Sequence, residues 1–299
     1  MKNAINYYYN IYPKDIYQTK EEHYFIIDNI KYSLIKYDKD PKELESIYNM
    51  HLYILSSGIY VHQIILNKEG KIITLINNQQ YILLKQSYTK DKITLEEISK
   101  LQNIKLTNNY NLEYSNWIDL WSEKNDYLEY QTSMLGLKYP LITESFNYFI
   151  GLGETAISLV SEIEKTNIVK TCTHRRLKEK DIIYSLYNPL NIVVDIKVRD
   201  QAEYFKMKFF EGENIYTELQ NFFKYTRLST YEYLMFLARM LYPTYYFDMY
   251  ESIMNKTVDE SELEKIIKKI DSYENLLKQI YNYYKSFLKF TPIEWLETN

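Results

Sequence analysis

Residues 60–86 read YVHQIILNKEGKIITLINNQQYILLKQ, and this stretch decides the fold class of the chain. Three short runs rich in Ile, Leu, Val and Tyr are separated by polar turns at residues 67–70 and 77–78. Short apolar runs bounded by Asn and Gly are typical of β-strands joined by tight turns. The stretch therefore predicts an antiparallel meander of three strands.

The preceding residues extend the same β-rich pattern. Residues 22–37 read EHYFIIDNIKYSLIKY, in which two β-prone runs flank Asp28 and Asn29, and this arrangement predicts a hairpin. A helical pattern follows in PKELESIYNMHLYILSSG, where Pro41 suits the first helical turn and Gly58 suits the end. The first 88 residues are thus predicted to form five strands and one helix.

The rest of the chain carries a different pattern. Long helical periodicities dominate from Leu95 onward, and they are interrupted near residues 172–200 by a loop and short strands. A small β-rich part followed by a large helical part predicts an α+β protein with two lobes. We expect an N-terminal lobe at residues 1–88 and a C-terminal lobe at residues 89–299, with the boundary between Ser87 and Asp91.

Composition excludes several classes of protein. The 299 residues carry a net charge of -4 with Lys and Glu interleaved, whereas a nucleic-acid-binding protein usually presents a basic face. The single cysteine, Cys172, excludes an internal disulfide framework. No run reaches the roughly 18 apolar residues of a membrane span. These features predict a cytoplasmic protein without a membrane span or a nucleic-acid partner.

One segment resembles the layout of a phosphotransferase centre. Residues 174–181 read HRRLKEKD, and residues 191–200 read NIVVDIKVRD. A histidine, a polar turn and an apolar strand ending in aspartate suit this chemistry, which needs a metal ion, groups that position phosphates and a carboxylate that orients the acceptor hydroxyl. His174 and Asp195 are therefore candidate site residues.

The order of elements resembles the kinase-like fold of aminoglycoside phosphotransferases and choline kinases. It is most similar to the bacterial spore-coat branch of that superfamily, the CotS and YutH type. The segments that carry the resemblance are NKEGKIITLINNQQYILLK, WIDLWSEKNDYLEY, FNYFIGLGETAISL, RDQAEYFK and ARMLYPTYYFDMYE. The resemblance implies a two-lobed protein-kinase-like fold, with a small N-terminal antiparallel sheet lobe containing one helix and a large helical C-terminal lobe.

The resemblance also assigns positions in the loop. Aminoglycoside-type kinases carry His-x-Asp-x-x-x-x-Asn, followed by a strand whose terminal Asp holds Mg²⁺. With His174 on the family histidine, the base position falls on Arg176 and the Asn position on Asp181. Asp195 then takes the metal position, and Asp181 is a second candidate ligand because hard cations favour carboxylate oxygens. A guanidinium cannot accept a proton near neutral pH, so the loop is predicted to be degenerate.

A partial nucleotide site is implied in the N-terminal lobe. Lys36 resembles the strand lysine that contacts ATP phosphates, and Glu43 or Glu45 could pair with it as the helix glutamate does in kinase-like folds. Residues 1–57 contain no glycine, although backbone that approaches phosphates closely usually uses glycine. ATP and Mg²⁺ are the cofactors that the resemblance implies.

Three functions remain open from the sequence. The favoured one is a catalytically impaired kinase-like protein, a pseudokinase, that acts as a structural or interaction component with other spore-coat proteins as partners. The alternative is an active Mg-ATP-dependent phosphotransferase acting on the hydroxyl of a small molecule, and a nucleotide-binding regulatory module lies between the two. A cationic acceptor would need an acidic pocket, for which the candidates are Asp119, Glu123, Asp126 and Glu129.

Two further patterns are interpreted structurally. Gly151 and Gly153 stand inside an amphipathic helix without the Lys-Ser/Thr of a phosphate-binding loop, which predicts close helix packing. His23, His51 and His62 are dispersed along the chain and lack the spacing of metal ligands.

Overall fold

The computed structural model describes residues 1–38, 41–87, 92–106, 110–114, 116–135, 138–163, 168–179, 181–285 and 291–297. The chain forms two compact units. Unit 1 comprises Met1–Glu113 with Lys170–Asp195, and unit 2 comprises Tyr114–Val169 with Ile196–Asn299. Residues 88–91 of the expected lobe boundary lie outside the described residues, and the division at residue 88 stays a prediction.

The secondary structure of residues 1–113 and 170–196 is mixed. Its helices are α1 (Lys2–Tyr9), α2 (Pro41–Ser56) and α3 (Leu95–Gln102). Its strands are β1 (Tyr17–Gln18), β2 (Glu22–Ile27), β3 (Ile30–Lys36), β4 (Gln63–Ile65), β5 (Thr74–Ile76), β6 (Gln79–Gln86), β7 (Lys170–His174) and β8 (Ile192–Ile196).

Strands β1 to β6 form one antiparallel sheet in the order β1-β2-β3-β6-β4, with β5 also paired to β6. The predicted β2–β3 hairpin is confirmed. Its turn residues Asp28 and Asn29 have φ angles of 49° and 61°, and Asn77 and Asn78 between β5 and β6 repeat these values. Positive φ at both positions matches the twist of paired strands, and Asn and Asp tolerate it better than most residues.

The predicted meander is wrong in its pairing. The three strands exist, but β4 pairs with β6 rather than with β5. Strand β6 spans eight residues, whereas β4 and β5 span three each. The long strand therefore accommodates both short strands end to end along one edge.

Helix α1 was not predicted, yet it contributes to the core of unit 1. Ile5 of α1 is fully buried in a cluster with Phe25, Leu34, Ile76 and other residues of the sheet. Burying an aliphatic or aromatic side chain of this size stabilises a fold by about 1.5–3 kcal/mol. The N-terminal helix thus closes one face of the sheet.

The described part of unit 2 outside β8 is helical. Its helices are α4 (Trp117–Ser133), α5 (Pro140–Glu162), α6 (Val198–Glu211), α7 (Tyr216–Tyr225), α8 (Thr230–Leu241), α9 (Thr244–Met254), α10 (Glu264–Ile267), α11 (Ile270–Tyr284) and α12 (Glu294–Glu297). Large side chains such as Phe205, Phe236 and Tyr273 are buried in its core. Within the described ranges, no helix combines the length and apolar content that crossing a bilayer requires. The predicted α+β class is confirmed.

The two glycines of α5 have different surroundings. A Cβ atom on Gly153 would lie 2.8 Å from Nδ2 of Asn125 on α4. Asn125 is buried, and its Nδ2 donates to Oε1 of Glu154 at 2.6 Å. A Cβ on Gly151 would meet no atom within 4 Å. The predicted close packing is therefore confirmed at Gly153 and is wrong at Gly151.

Gly153→Ala is expected to lower the free energy of unfolding by about 1–3 kcal/mol, because the added methyl group overpacks the contact with Asn125. Gly151→Ala is the matched control and should be neutral or stabilising by up to about 1 kcal/mol, since alanine favours a helix. Urea unfolding of both variants measures the difference. Equal effects at the two positions would contradict the packing argument.

Candidate functional site

The predicted catalytic segment is held between two paired strands. Strands β7 and β8 form a two-stranded sheet. The Val194 N–H donates to Leu112 O at 2.8 Å, and Thr171 Oγ1 donates to Gln102 O at 2.6 Å. Both strands that flank the intervening loop, residues 175–191, are thereby fixed to other parts of unit 1.

His174 lies at the end of β7 and is only 1% exposed. Its Nε2 is 2.9 Å from the carbonyl oxygen of Leu186, within hydrogen-bond distance. Leu186 belongs to the loop that follows, so the imidazole links the strand to that loop. The catalytic role assigned to His174 stays a prediction.

Asn191 organises the backbone at the expected base position. Its Nδ2 donates to Arg176 O at 2.7 Å, and its Oδ1 accepts from the Arg176 N–H at 3.4 Å. Arg175 N–H donates to Asn191 O at 2.9 Å. Asn191 is 2% exposed, so this amide fixes the backbone of Arg176 from inside the unit.

A second asparagine shapes the same loop. Asn188 Oδ1 accepts from Leu190 N–H at 3.0 Å, and its Nδ2 donates to Ile182 O at 2.9 Å. Neither asparagine was among the residues predicted for the site. Their signal is the run NPLN at residues 188–191, where Asn and Pro stand directly before an apolar strand. Such residues favour turns because the amide hydrogen-bonds to nearby backbone.

Asp181 closes a turn. Its Oδ1 accepts hydrogen bonds from the N–H groups of Ile183 at 2.8 Å and Tyr184 at 3.2 Å. An aspartate that binds backbone two and three residues ahead forms an Asx-type turn. The carboxylate therefore has a structural use in this loop, and its assignment as a magnesium ligand or catalytic group stays a prediction.

Asp195 is the strongest metal candidate by its location. It lies near the end of β8 and is 2% exposed. Among the described residues, no group of three or more His, Cys, Asp or Glu side chains is placed to hold a metal ion. Mg²⁺ at phosphate sites is commonly bound by one or two carboxylates plus phosphates and water. Asp195 and Asp181 carry the oxygen donors that this mode uses. Their assignment as magnesium ligands stays a prediction.

The structure does not bring the three predicted nucleotide-binding residues together. Lys36 Nζ lies 3.3 Å from Asp38 Oδ2, and the lysine side chain is 47% exposed. Glu43 on α2 instead forms an ion pair with Arg175, the residue that follows β7. Glu45 is exposed, and two residues along a helix it points away from Glu43. A nucleotide-binding role for Lys36, Glu43 and Glu45 stays a prediction.

The acidic residues proposed for an acceptor pocket are exposed. Asp119, Glu123, Asp126 and Glu129 all lie on α4 with solvent-accessible side chains. Asp119 also accepts a hydrogen bond from Asn116 at the start of the helix. This arrangement is typical of a solvated helix face, and it does not fit an enclosed pocket.

Two further histidines are buried in unit 1. His51 on α2 is 2% exposed, and His62 before β4 is fully buried. The His62 Nδ1 lies 3.1 Å from the Tyr60 hydroxyl, and its Nε2 has no hydrogen-bond partner among the described residues. Burial is the main cause that lowers the pKa of His51 to about 4 and the pKa of His62 to about 3. Both rings are therefore neutral at neutral pH.

Comparison with solved structures defines the class of fold. An aminoglycoside phosphotransferase from Alicyclobacillus acidocaldarius is similar with a TM-score of 0.67 at 8% identity, over 93% of this chain and 95% of that chain. An AMP-bound spectinomycin phosphotransferase is similar with a TM-score of 0.61 at 12% identity, over 99% and 96%. Choline kinase LicA from Streptococcus pneumoniae gives 0.51 at 12% identity, over 92% and 97%. The fold is that of the kinase-like small-molecule phosphotransferases.

A narrower group is defined by sequence. The chain is 26% identical over 314 aligned positions to the endospore coat-associated protein YutH of Bacillus subtilis (strain 168), covering 94% of this chain and 91% of that protein. The family described as "Spore coat putative kinase YutH" matches residues 2–280. The chain belongs to this family, and the resemblance inferred from the sequence is confirmed.

Proposed function

We propose that this protein is a catalytically impaired kinase-like protein that acts as a structural or interaction component of the bacterial spore coat. The relative from Bacillus subtilis is an endospore coat-associated protein, which supports the location. Its partners would then be other coat proteins, and it would join them after synthesis in the cytoplasm.

The ion pair between Arg175 and Glu43 is the observation that carries this proposal. In kinase-like folds a strand lysine pairs with a helix glutamate, and the lysine then holds the nucleotide phosphates. Here Glu43 forms its ion pair with Arg175 of the β7–β8 loop, while Lys36 forms an ion pair with Asp38. Arg176, on the expected base position, adds a positive charge where the chemistry requires a carboxylate.

Asp195 favours a second candidate function. A buried carboxylate at the end of a strand suits a magnesium ligand, and the similar spectinomycin phosphotransferase was solved with AMP. In this alternative the protein is an active Mg-ATP-dependent phosphotransferase in which Lys36 contacts phosphate and Asp195 binds Mg²⁺. A nucleotide-binding module without turnover would use the same residues without an acceptor.

Thermal unfolding with ATP or ADP, with and without Mg²⁺, tests the proposal. We expect no Mg²⁺-dependent rise in stability at millimolar nucleotide. A ligand at a hundred times its dissociation constant would instead add about 2.7 kcal/mol. A Mg²⁺-dependent rise that disappears in Asp195→Asn but persists in the control Asp15→Asn, an exposed aspartate outside the candidate site, would contradict the loss of nucleotide binding. ATP turnover that depends on a hydroxyl-bearing acceptor would then support the active phosphotransferase.

A further inference from the structure

Unit 1 contains a groove beside the short edge strand β5. Its volume is about 540 Å³, which is the size of a site for a small ligand or a few side chains. The walls come from α1, α2 and the segment that leads into β5. The apolar part of the lining comprises Tyr8, Leu44, Ile72, Ile73 and Leu75.

The backbone of Leu75 faces the open edge of the sheet. Leu75 is opposite Gln80 on β6, and the Gln80 carbonyl accepts from Tyr37 N–H at 2.9 Å, on the side of β6 away from β5. In an antiparallel pair the N–H and C=O of one residue point the same way, so Leu75 and Gln80 form a non-hydrogen-bonded pair. The N–H and C=O of Leu75 therefore point away from β6, and neither has a partner among the described residues.

The side chain of Leu75 is also accessible to a binding partner, since it is 55% exposed and lines the groove. An unpaired strand edge next to exposed apolar surface is a template for pairing with another chain. Natural proteins usually protect such edges with charge, proline or a covering element. Leu75 provides none of these protections.

The groove wall is preformed by Asn67. Its Oδ1 accepts from the N–H groups of Glu69 at 2.9 Å and Lys71 at 3.0 Å, and its Nδ2 donates to Thr74 Oγ1 at 3.1 Å. Asn67 is 6% exposed, so these bonds tie the turn to the start of β5. A preformed wall lowers the entropy cost of binding.

We propose that β5 and this groove form a strand-addition site for an extended segment of a partner protein. A polypeptide backbone supplies the donor and acceptor that match Leu75, and one apolar side chain would enter the groove. The rim carries Glu45 and Glu69 with Lys71, whose ammonium pairs with Glu69 at 2.9 Å. The remaining negative charge favours Lys or Arg beside the apolar residue.

This inference rests on the proposed function in taking a protein as the partner. The two proposals are tested by different assays, so either one can be contradicted without the other. The nucleotide assay concerns Lys36 and Asp195, whereas the present assay concerns Leu75. Its probe is a fluorescein-labelled peptide of alternating Val and Thr residues flanked by Lys, titrated with the full chain and followed by fluorescence anisotropy.

We expect saturable binding of this peptide that weakens at least ten-fold in Leu75→Lys and in Leu75→Pro. Proline removes the outward N–H of Leu75, which β6 does not use, so the β5–β6 pairing is retained. The matched control is Ile26→Lys on β2, because Ile26 is 56% exposed and the change introduces the same charge. This control should bind within two-fold of the unmodified protein.

A second peptide separates strand addition from simple apolar contact. Methylation of alternate backbone nitrogens removes the donors but leaves the side chains, and we expect it to abolish binding. Equal binding by the methylated peptide would overturn the proposal. Absence of binding by the unmethylated peptide, or equal weakening by Leu75→Lys and Ile26→Lys, would overturn it as well.

Discussion

Lowering the pH from 7 to 5 is expected to reduce the free energy of unfolding by about 4 kcal/mol through His51 and His62 together, or about 2 kcal/mol from each. Both rings are buried, and burial lowers the pKa of His51 to about 4 and that of His62 to about 3. Protonation in the folded state would place a charge inside unit 1, where the His62 Nε2 has no partner among the described residues.

The free energy of unfolding falls on acidification because the unfolded state binds protons at a higher pH than the folded state does. The unfolded chain binds protons at a histidine pKa of about 6.5, whereas the folded protein binds them only near pH 4 and pH 3. Stability from these two groups is therefore fully present above pH 6.5 and falls as the pH decreases toward the folded-state values. Urea unfolding between pH 7 and pH 5 at constant ionic strength measures the loss.

The double variant His51→Gln/His62→Gln should lose most of this pH dependence, whatever its stability at pH 7. The control is His23→Gln, because His23 is partly exposed and its pKa is also lowered by burial. This control should retain most of the dependence. An unchanged pH dependence in the double variant would show that other groups cause the acid sensitivity.

Asn191→Ala is expected to lower the free energy of unfolding by about 2–4 kcal/mol and to open the β7–β8 loop. The substitution removes the hydrogen bonds that Asn191 makes to the backbone N–H and C=O of Arg176. A shielded polar group that loses its partner costs about 1–3 kcal/mol, and less where water can reach it, so the two part-buried groups together account for about 2–4 kcal/mol. Urea unfolding measures the stability. Limited trypsin digestion reports the opening, because Arg175 and Arg176 become cleavable.

The control for this prediction is Asn214→Ala. Asn214 also accepts a hydrogen bond from nearby backbone, the Tyr216 N–H at 3.3 Å, but it is exposed. Water can replace that bond, so we expect a change below about 1 kcal/mol and no new cleavage at Arg175 or Arg176. Resistance of Asn191→Ala to trypsin would show that other contacts hold the loop.

Local chemistry made much of the fold predictable. Asp28 and Asn29 between two apolar runs indicated the β2–β3 hairpin, and the structure gives both residues the positive φ that such a turn needs. The spacing of apolar residues also predicted the long helices of unit 2, because a helix is specified by residues three and four positions apart. Each of these features depends on residues close together in the sequence.

Features that depend on distant residues were not predictable. The pairing of β4 with β6 follows from the length of β6 and not from any turn signal. The Arg175–Glu43 ion pair joins residues 132 positions apart and has no local signal. The kinase resemblance suggested Lys36 as the partner of Glu43 or Glu45 instead. Asn191 had a local signal, but its role depends on backbone fifteen residues earlier.

The discontinuous composition of unit 1 has a consequence for biosynthesis. Its two segments, Met1–Glu113 and Lys170–Asp195, are separated in the chain by Tyr114–Val169 of unit 2. A domain emerging from the ribosome folds as a unit only when all of its residues are available. Unit 1 therefore cannot complete its contacts until α4 and α5 and the following segment Lys170–Asp195 have been translated. Until then, part of the interior that this segment covers in the finished fold stays exposed on the β-rich first segment.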